Sequence, residues 1–374
     1  MIPFWRVPDA PDQAIQKPQL LHHLSSLPTS VLIAWIVRHG AGYIGVCRIR
    51  GYAYIRGYDQ MHHKLIRTTA RTAVIGAVIV LAGTAVARGA MAMPMPGGIV
   101  SVPCNTQALT SAIAGAMSGE KLNLASGCLY QLTAPLPGIH TGLTIVGSGT
   151  TLERSKASGT PDFTILTVDA GDVNLVDVNF RNGGGNDYDT ASAIDNYGGN
   201  ITVLGGTFAD NNDGYGAIYN DSGTLTITSA YFIHNGAETG GAITNNATMT
   251  VRKSPFVENT ANIGGAIDNA GMAAVIDATF TGNSAFEGGA IANTGHAALT
   301  SVTVQDNFAE VAVGGGIYNG GTLTAALSKI VDNFAERGGG GIYNGGSVAL
   351  SRTGVSGNTP DNCEPVGTIA GCSG

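Results

Sequence analysis

Apolar and polar positions between residues 190 and 358 alternate in short stretches and repeat on a long period, with no helical stripe. A Gly/Ala-Ile-x-Asn segment recurs with its Ile at Ile194, Ile218, Ile243, Ile267, Ile291, Ile317 and Ile342, in steps of 24 to 26 residues. A second marker, an apolar residue three before an Asn, keeps the same beat at Phe208/Asn211, Phe232/Asn235, Phe256/Asn259 and Phe280/Asn283. It continues at Val304/Asn307, Ile330/Asn333 and Val355/Asn358. Between the markers runs a period-two alternation such as Leu225-Thr226-Ile227 or Met249-Thr250-Val251. Period two, broken by Gly, Asn and Asp, predicts several short strands per repeat. A unit of about 25 residues with no helix cannot bury its own apolar side chains, so neighbouring units must stack.

Stacking predicts an all-β fold: a single-stranded right-handed parallel β-helix of about ten coils, with a short N-terminal capping helix. Each strand pairs with its copy about 4.8 Å along the axis, and the bias of parallel crossovers supplies the hand. Ile and Phe then form interior files. Gly pairs such as Gly264-Gly265 and Gly288-Gly289 mark the corner before the Ile strand, where φ > 0 is needed. The Asn residues after that strand, Asn220 through Asn344, are placed to bond amide to amide from coil to coil. Thr106 is read as the cap of a helix running to about Met117, with Leu109 and Ile113 on one face. Leucine-rich repeats share the period but need an L-x-x-L-x-L core and a helical back. The calcium β-roll nonapeptide never appears.

The Gly-Gly-Ala-Ile and Phe-x-x-Asn elements resemble polymorphic outer membrane protein repeats, within the wider pectate-lyase-like β-helix superfamily. The resemblance covers repeats over 190–360 and a capped start over 104–190. Proteins with these repeats carry a membrane β-barrel after them; none is read between the repeats and Gly374, so self-translocation is not expected. Lyases of the superfamily use Ca²⁺-binding acids with an Arg or Lys base, and its polygalacturonases use clustered Asp with His-containing motifs. Basic residues here are scattered, and only Arg181 falls near an acidic stretch.

Composition sharpens this picture in two ways. Gly supplies 55 of 374 residues and Pro only 14, an excess without collagen period or disorder-type charge. Residues 1–92 carry ten Lys/Arg against three Asp/Glu, and residues 93–374 carry nine against twenty-three, net charges of +7 and −14. So acidic a body cannot neutralise many phosphates, which argues against nucleic acid as a partner. Within the basic part, Lys64, Arg67 and Arg71 precede an apolar run over 73–87, followed by Ala90-Met91-Ala92. That order is a secretory signal's. Residues 61–92 are therefore read as a cleaved signal peptide or, if retained, a membrane anchor through residues 73–87. Residues 1–60 are either over-extended translation ahead of Met61 or a cytoplasmic tail. The mature regions are then 93–190 (cap and first irregular coils), 191–358 (repeats) and 359–374 (a disulfide-tied tail).

Cys104, Cys128, Cys363 and Cys372 lie in the mature part and allow three pairings. Structural disulfides, the short-range pairing among the three, fit a secreted or cell-surface protein better than metal or redox chemistry. Counting five residues back from the repeat Ile gives Asp189, Asp213 and Glu238 on consecutive coils, with Asp187 close by. Carboxylates so stacked repel one another. Ca²⁺ on Asp187, Asp189 and Asp213 would relieve this, and paired acids Asp187, Asp189, Asp213 and Glu238 are the candidates for glycosidic cleavage. The residue after each repeat Ile is expected to face outward, giving a file that includes Asp195, Tyr219, Asp268, Tyr318 and Tyr343. Tyr219, Tyr318 and Tyr343 are its candidate sugar contacts. His140, His234 and His296 occupy different repeat positions, so no His–carboxylate or Ser–His arrangement is expected to repeat or converge. The pattern points to a structural, adhesive or polysaccharide-contacting module meeting cell-surface glycans. A polysaccharide lyase or glycoside hydrolase acting at the acidic corner is the alternative.

Overall fold

Equivalent strands of successive repeats pair in parallel, residue for residue, and build a β-solenoid of about eleven turns. The computed structural model describes residues 97–185 and 190–372, together with the backbone of Val37–His39, Gly42–Ile49 and Tyr52–Arg56. The chain divides into two compact units, residues 1–87 and 88–374. In the first, the three strands form an antiparallel sheet. In the second lies the solenoid. The expected signal or anchor, residues 61–92 with the run 73–87, lies outside the described residues. No helix among the described residues is long and apolar enough to cross a membrane.

Four ladders make up the solenoid wall. The Ile ladder has nine strands, from Leu166–Val168 through Ile194–Asn196 to Ile342–Asn344 and Cys363–Glu364. Five-residue strands such as Asn200–Leu204 and Thr224–Thr228 form a second ladder. Three-residue strands such as Thr207–Ala209 and Tyr231–Ile233 form a third, centred on Phe. Two long early strands, Leu143–Arg154 and Asp172–Arg181, run through both of these ladders. A short outer ladder, Gly236–Thr239 to Phe334–Ala335, completes the later coils.

The inward files are continuous. Ile194, Ile218, Ile243, Ile267, Ile291, Ile317 and Ile342 are all buried. Phe180, Phe208, Phe232, Phe256 and Phe280 stack with ring centroids 4.6–5.1 Å apart and planes within 11°. Two amide ladders line the corners. Asn196 Nδ2 donates to Asn220 Oδ1, and so on to Asn344, at 2.7–2.8 Å. The Asn of the Phe-x-x-Asn marker does the same from Asn211 to Asn358 at 2.9–3.0 Å. Periodicity alone suggested only the first.

Each regular coil turns at three corners with positive φ. Glycine fills one, at Gly240, Gly264 and Gly288; the following Gly265 is needed because a Cβ there would meet Gly289 O of the next coil at 2.2 Å. Non-glycine residues fill most of the other two corners: Ser229, Lys253, Asp277 and Leu327 at one, Asp210, His234, Glu258 and Asp332 at the other.

At the N-terminal end a helix, α1 (Thr106–Ala114), buries Leu109 and Ile113 in the core shared with the first coils. Its cap corrects the sequence reading. Asn105 holds the extended cap conformation and accepts from Ala108 N at 3.0 Å, while Thr106 Oγ1 donates to Gln131 O. The helix stops at Ala114 because Gly115 follows, a poor helix former. Disulfides Cys104–Cys128 and Cys363–Cys372 join cysteines near each end of the solenoid, in the short-range pairing.

Candidate functional site

The acidic corner expected from sequence is only partly in view. Asp187 and Asp189 lie outside the described residues. Asp213 and Glu238 are exposed on adjacent coils, but Asn212 pairs with Gly236, and Glu238 N donates to Gly214 O. Glu238 is thus one register position away from Asp213. The coils are aligned by their Asn ladder, and Asn211 precedes Ile218 by seven residues whereas Asn235 precedes Ile243 by eight. Counting back from the Ile therefore slips by one. Among the described residues no group of three or more His, Cys, Asp or Glu side chains is arranged to hold a metal ion.

The file after the repeat Ile is not a solvent-facing one. Asp195 is 2% exposed, Thr244 5% and Tyr219 9%, because the turn that precedes each strand lies against that side, through Ala191, Thr239 and Tyr215 respectively. Asp195 accepts from Ala191 N at 2.6 Å and Thr164 Oγ1 at 3.0 Å, and burial nevertheless pushes its carboxyl up to about 6. Burial also pushes Asp268 up to about 6. Tyr219 donates to Asp221 Oδ1 at 2.9 Å and accepts from Asn246 Nδ2 at 3.0 Å; burial and then the Asp221 carboxylate raise its hydroxyl. Tyr318 and Tyr343 are half-buried and stack on one another at 5.7 Å and 6°. Each ring spends a face on its neighbour, so the pair does not lie side by side as a platform.

A different feature is an open concave surface on the solenoid wall. On the outward side of the Phe ladder an open trough of about 510 Å³ runs along the early coils. Strand alternation produces it: Tyr130, Leu152, Phe180, Phe208 and Phe232 point inward, and the residue on either side of each points out. One wall is Leu129, Thr151, Asn179 and Thr207; the other is Glu153, Arg181, Ala209 and Ile233. Asn179 ties the first wall together, donating to Thr151 Oγ1 at 3.4 Å and accepting from Thr207 N at 2.9 Å.

Beside the second wall, Asp210, His234 and Glu258 stack at one corner. Arg181 Nε meets Asp210 Oδ2 at 3.1 Å, His234 Nε2 lies 2.8 Å from Glu258 Oε2, and His234 Nδ1 lies 4.0 Å from Asp210 Oδ1. His140 likewise meets Asp169 at 3.1 Å. The expectation that no His–carboxylate arrangement converges is therefore corrected at His234. Partners come from the same register position on neighbouring coils, so a His need not recur in order to find a carboxylate. The usable signal was the residue before the Asn in Phe-x-x-Asn.

No protein-family model and no curated protein matches the chain. The site offers hydroxyl and amide groups along one wall, charged groups along the other, and apolar surface at Leu129 and Ile233 toward its ends. Such a surface can hydrogen-bond a polyhydroxylated chain while the apolar ends receive the C–H faces of its rings.

Proposed function

We propose that this chain is an exported or cell-surface β-solenoid that contacts saccharide chains along the Phe-ladder trough and does so as a binding module, without catalysis. The observation that carries the reading is the trough itself, with polar rows set on a rigid sheet at the coil spacing. Rigid elements hold recognition groups in register better than loops do. The two disulfides favour an oxidising compartment. The Gly-Gly-Ala-Ile and Phe-x-x-Asn markers support kinship with polymorphic outer membrane protein repeats, whose resemblance brings the cell surface with it.

Binding of the full chain to a panel of immobilised glycans, measured together with release of reducing ends and unsaturated products, tests the reading. Retention without product is expected. Product release that Asp213→Ala abolishes would overturn it in favour of a lyase or hydrolase. Export predicts a first residue of Met93 by N-terminal sequencing, whereas anchoring through residues 73–87 would leave those residues on the protein.

A further inference from the structure

We infer that the trough selects a saccharide bearing free amino groups, with Glu153 as the seat for the ammonium. This rests on the saccharide-binding reading above and adds the chemical class of the ligand.

The charges along the trough are compensated except at one place. Arg181, half exposed, turns toward Asp210 on the next coil and pairs with it. His234 is engaged by Glu258. Glu153 pairs in strand register with Arg181 on one side and Gln131 on the other, yet no described residue hydrogen-bonds or ion-pairs with its carboxylate. It is half-buried in the trough wall. An unpaired carboxylate in that setting favours a cationic group, because a charge-assisted hydrogen bond is stronger than a neutral one. Thr207 Oγ1, across the trough, is also without a described partner and can take a ring hydroxyl.

The same charges disfavour the polyanions that the pectate-lyase resemblance would suggest. A uronate chain laid in the trough would meet Glu153 and Asp210 with only Arg181 in compensation. It would also approach a body of net charge −14 over residues 93–374. That wider field is screened beyond about 8 Å at physiological salt, so the discrimination rests mainly on Glu153. Coil spacing helps: neighbouring rings of the Phe file lie 4.6–5.1 Å apart, close to the advance of one pyranose unit in an extended chain. Successive sugars can then meet equivalent positions on successive coils.

Isothermal titration of the full chain with a β-1,4-linked glucosamine tetramer, its N-acetylated counterpart and an oligogalacturonate of equal length tests the inference. The glucosamine tetramer should bind tightest and weaken with added salt. Glu153→Gln should cost it about tenfold, or about 1.4 kcal/mol, and cost the acetylated tetramer several-fold less. Equal affinity for free and acetylated amines, with Glu153→Gln silent, overturns the amine preference while the trough remains a saccharide site. Tighter binding of the oligogalacturonate overturns it as well. Ala209→Trp, which fills the outward face of the trough without touching the core, should abolish all binding. Binding that survives it, or no binding to any of the three, removes the saccharide reading itself.

Discussion

Asp268 occupies a place where a carboxylate is costly. It sits one position after Ile267, half-buried beneath the turn that precedes the strand, and no described group hydrogen-bonds to its carboxyl. Burial raises its pKa from 3.8 to about 6. A raised carboxyl pKa means that the folded state holds its proton more tightly than the unfolded one. The stability this contributes is full below pH 4 and is lost as pH rises through about 6. Asp268→Asn should therefore match the parent near pH 4 and exceed it at pH 8 by roughly 2 kcal/mol, measured by urea denaturation at the two values. Equal midpoints at pH 8 would show that the carboxylate is solvated after all. Asp195 shares the shift but has two donors, so its amide variant should gain less. Strand alternation placed both residues on the side opposite the Ile. That side is not solvent here, because the turn before the strand covers it, and no residue-level signal says so.

Among the elements, the amide ladders bind coil to coil most directly. Asn283 is fully buried; its Nδ2 donates to Asn307 Oδ1 and Phe256 O, and its own Oδ1 accepts from Asn259. Asn283→Asp removes the donor while keeping the shape. The result is a buried carboxylate facing two acceptors, with about 3 kcal/mol or more lost at pH 7. Partial recovery toward pH 4, where the acid can donate once, separates this from a packing defect; thermal melts at both pH values read it. The Gly pairs were legible as corners, and their first residues do adopt positive φ. The second residue of each pair answers a different need, the close approach of the next coil's carbonyl, as at Gly265. The two corners built from Ser, Lys, Asp, Leu, His and Glu were invisible, since any of these residues can take a left-handed conformation at a cost of about 1 kcal/mol or more once stacked neighbours impose it.

At the scale of the whole molecule, each coil of the solenoid touches only its neighbours, so stability accumulates by local increments. The C-terminal end is tied by Cys363–Cys372, with Cys363 pairing beside Ile342 and Ile369 buried. Replacing both cysteines by Ser should raise amide exchange over residues 342–372, a local loss of about 2 kcal/mol, and leave residues 194–293 unchanged. A loss of protection spread evenly through all coils would contradict nearest-neighbour behaviour. By itself the sequence determined the period, the parallel stacking and the inward Ile and Phe files, because burying a side chain at every turn demands a repeated apolar residue. It also marked the cysteines and the first Asn ladder. The register of residues between the markers was decided by tertiary structure, as the slip between Asp213 and Glu238 shows. The trough likewise depends on which outward residues of neighbouring coils come to lie together. Asp210 and His234 hold the place before the Asn of Phe-x-x-Asn, whereas Glu153 and Arg181 precede the regular repeats; only coils resting on one another bring the four within reach.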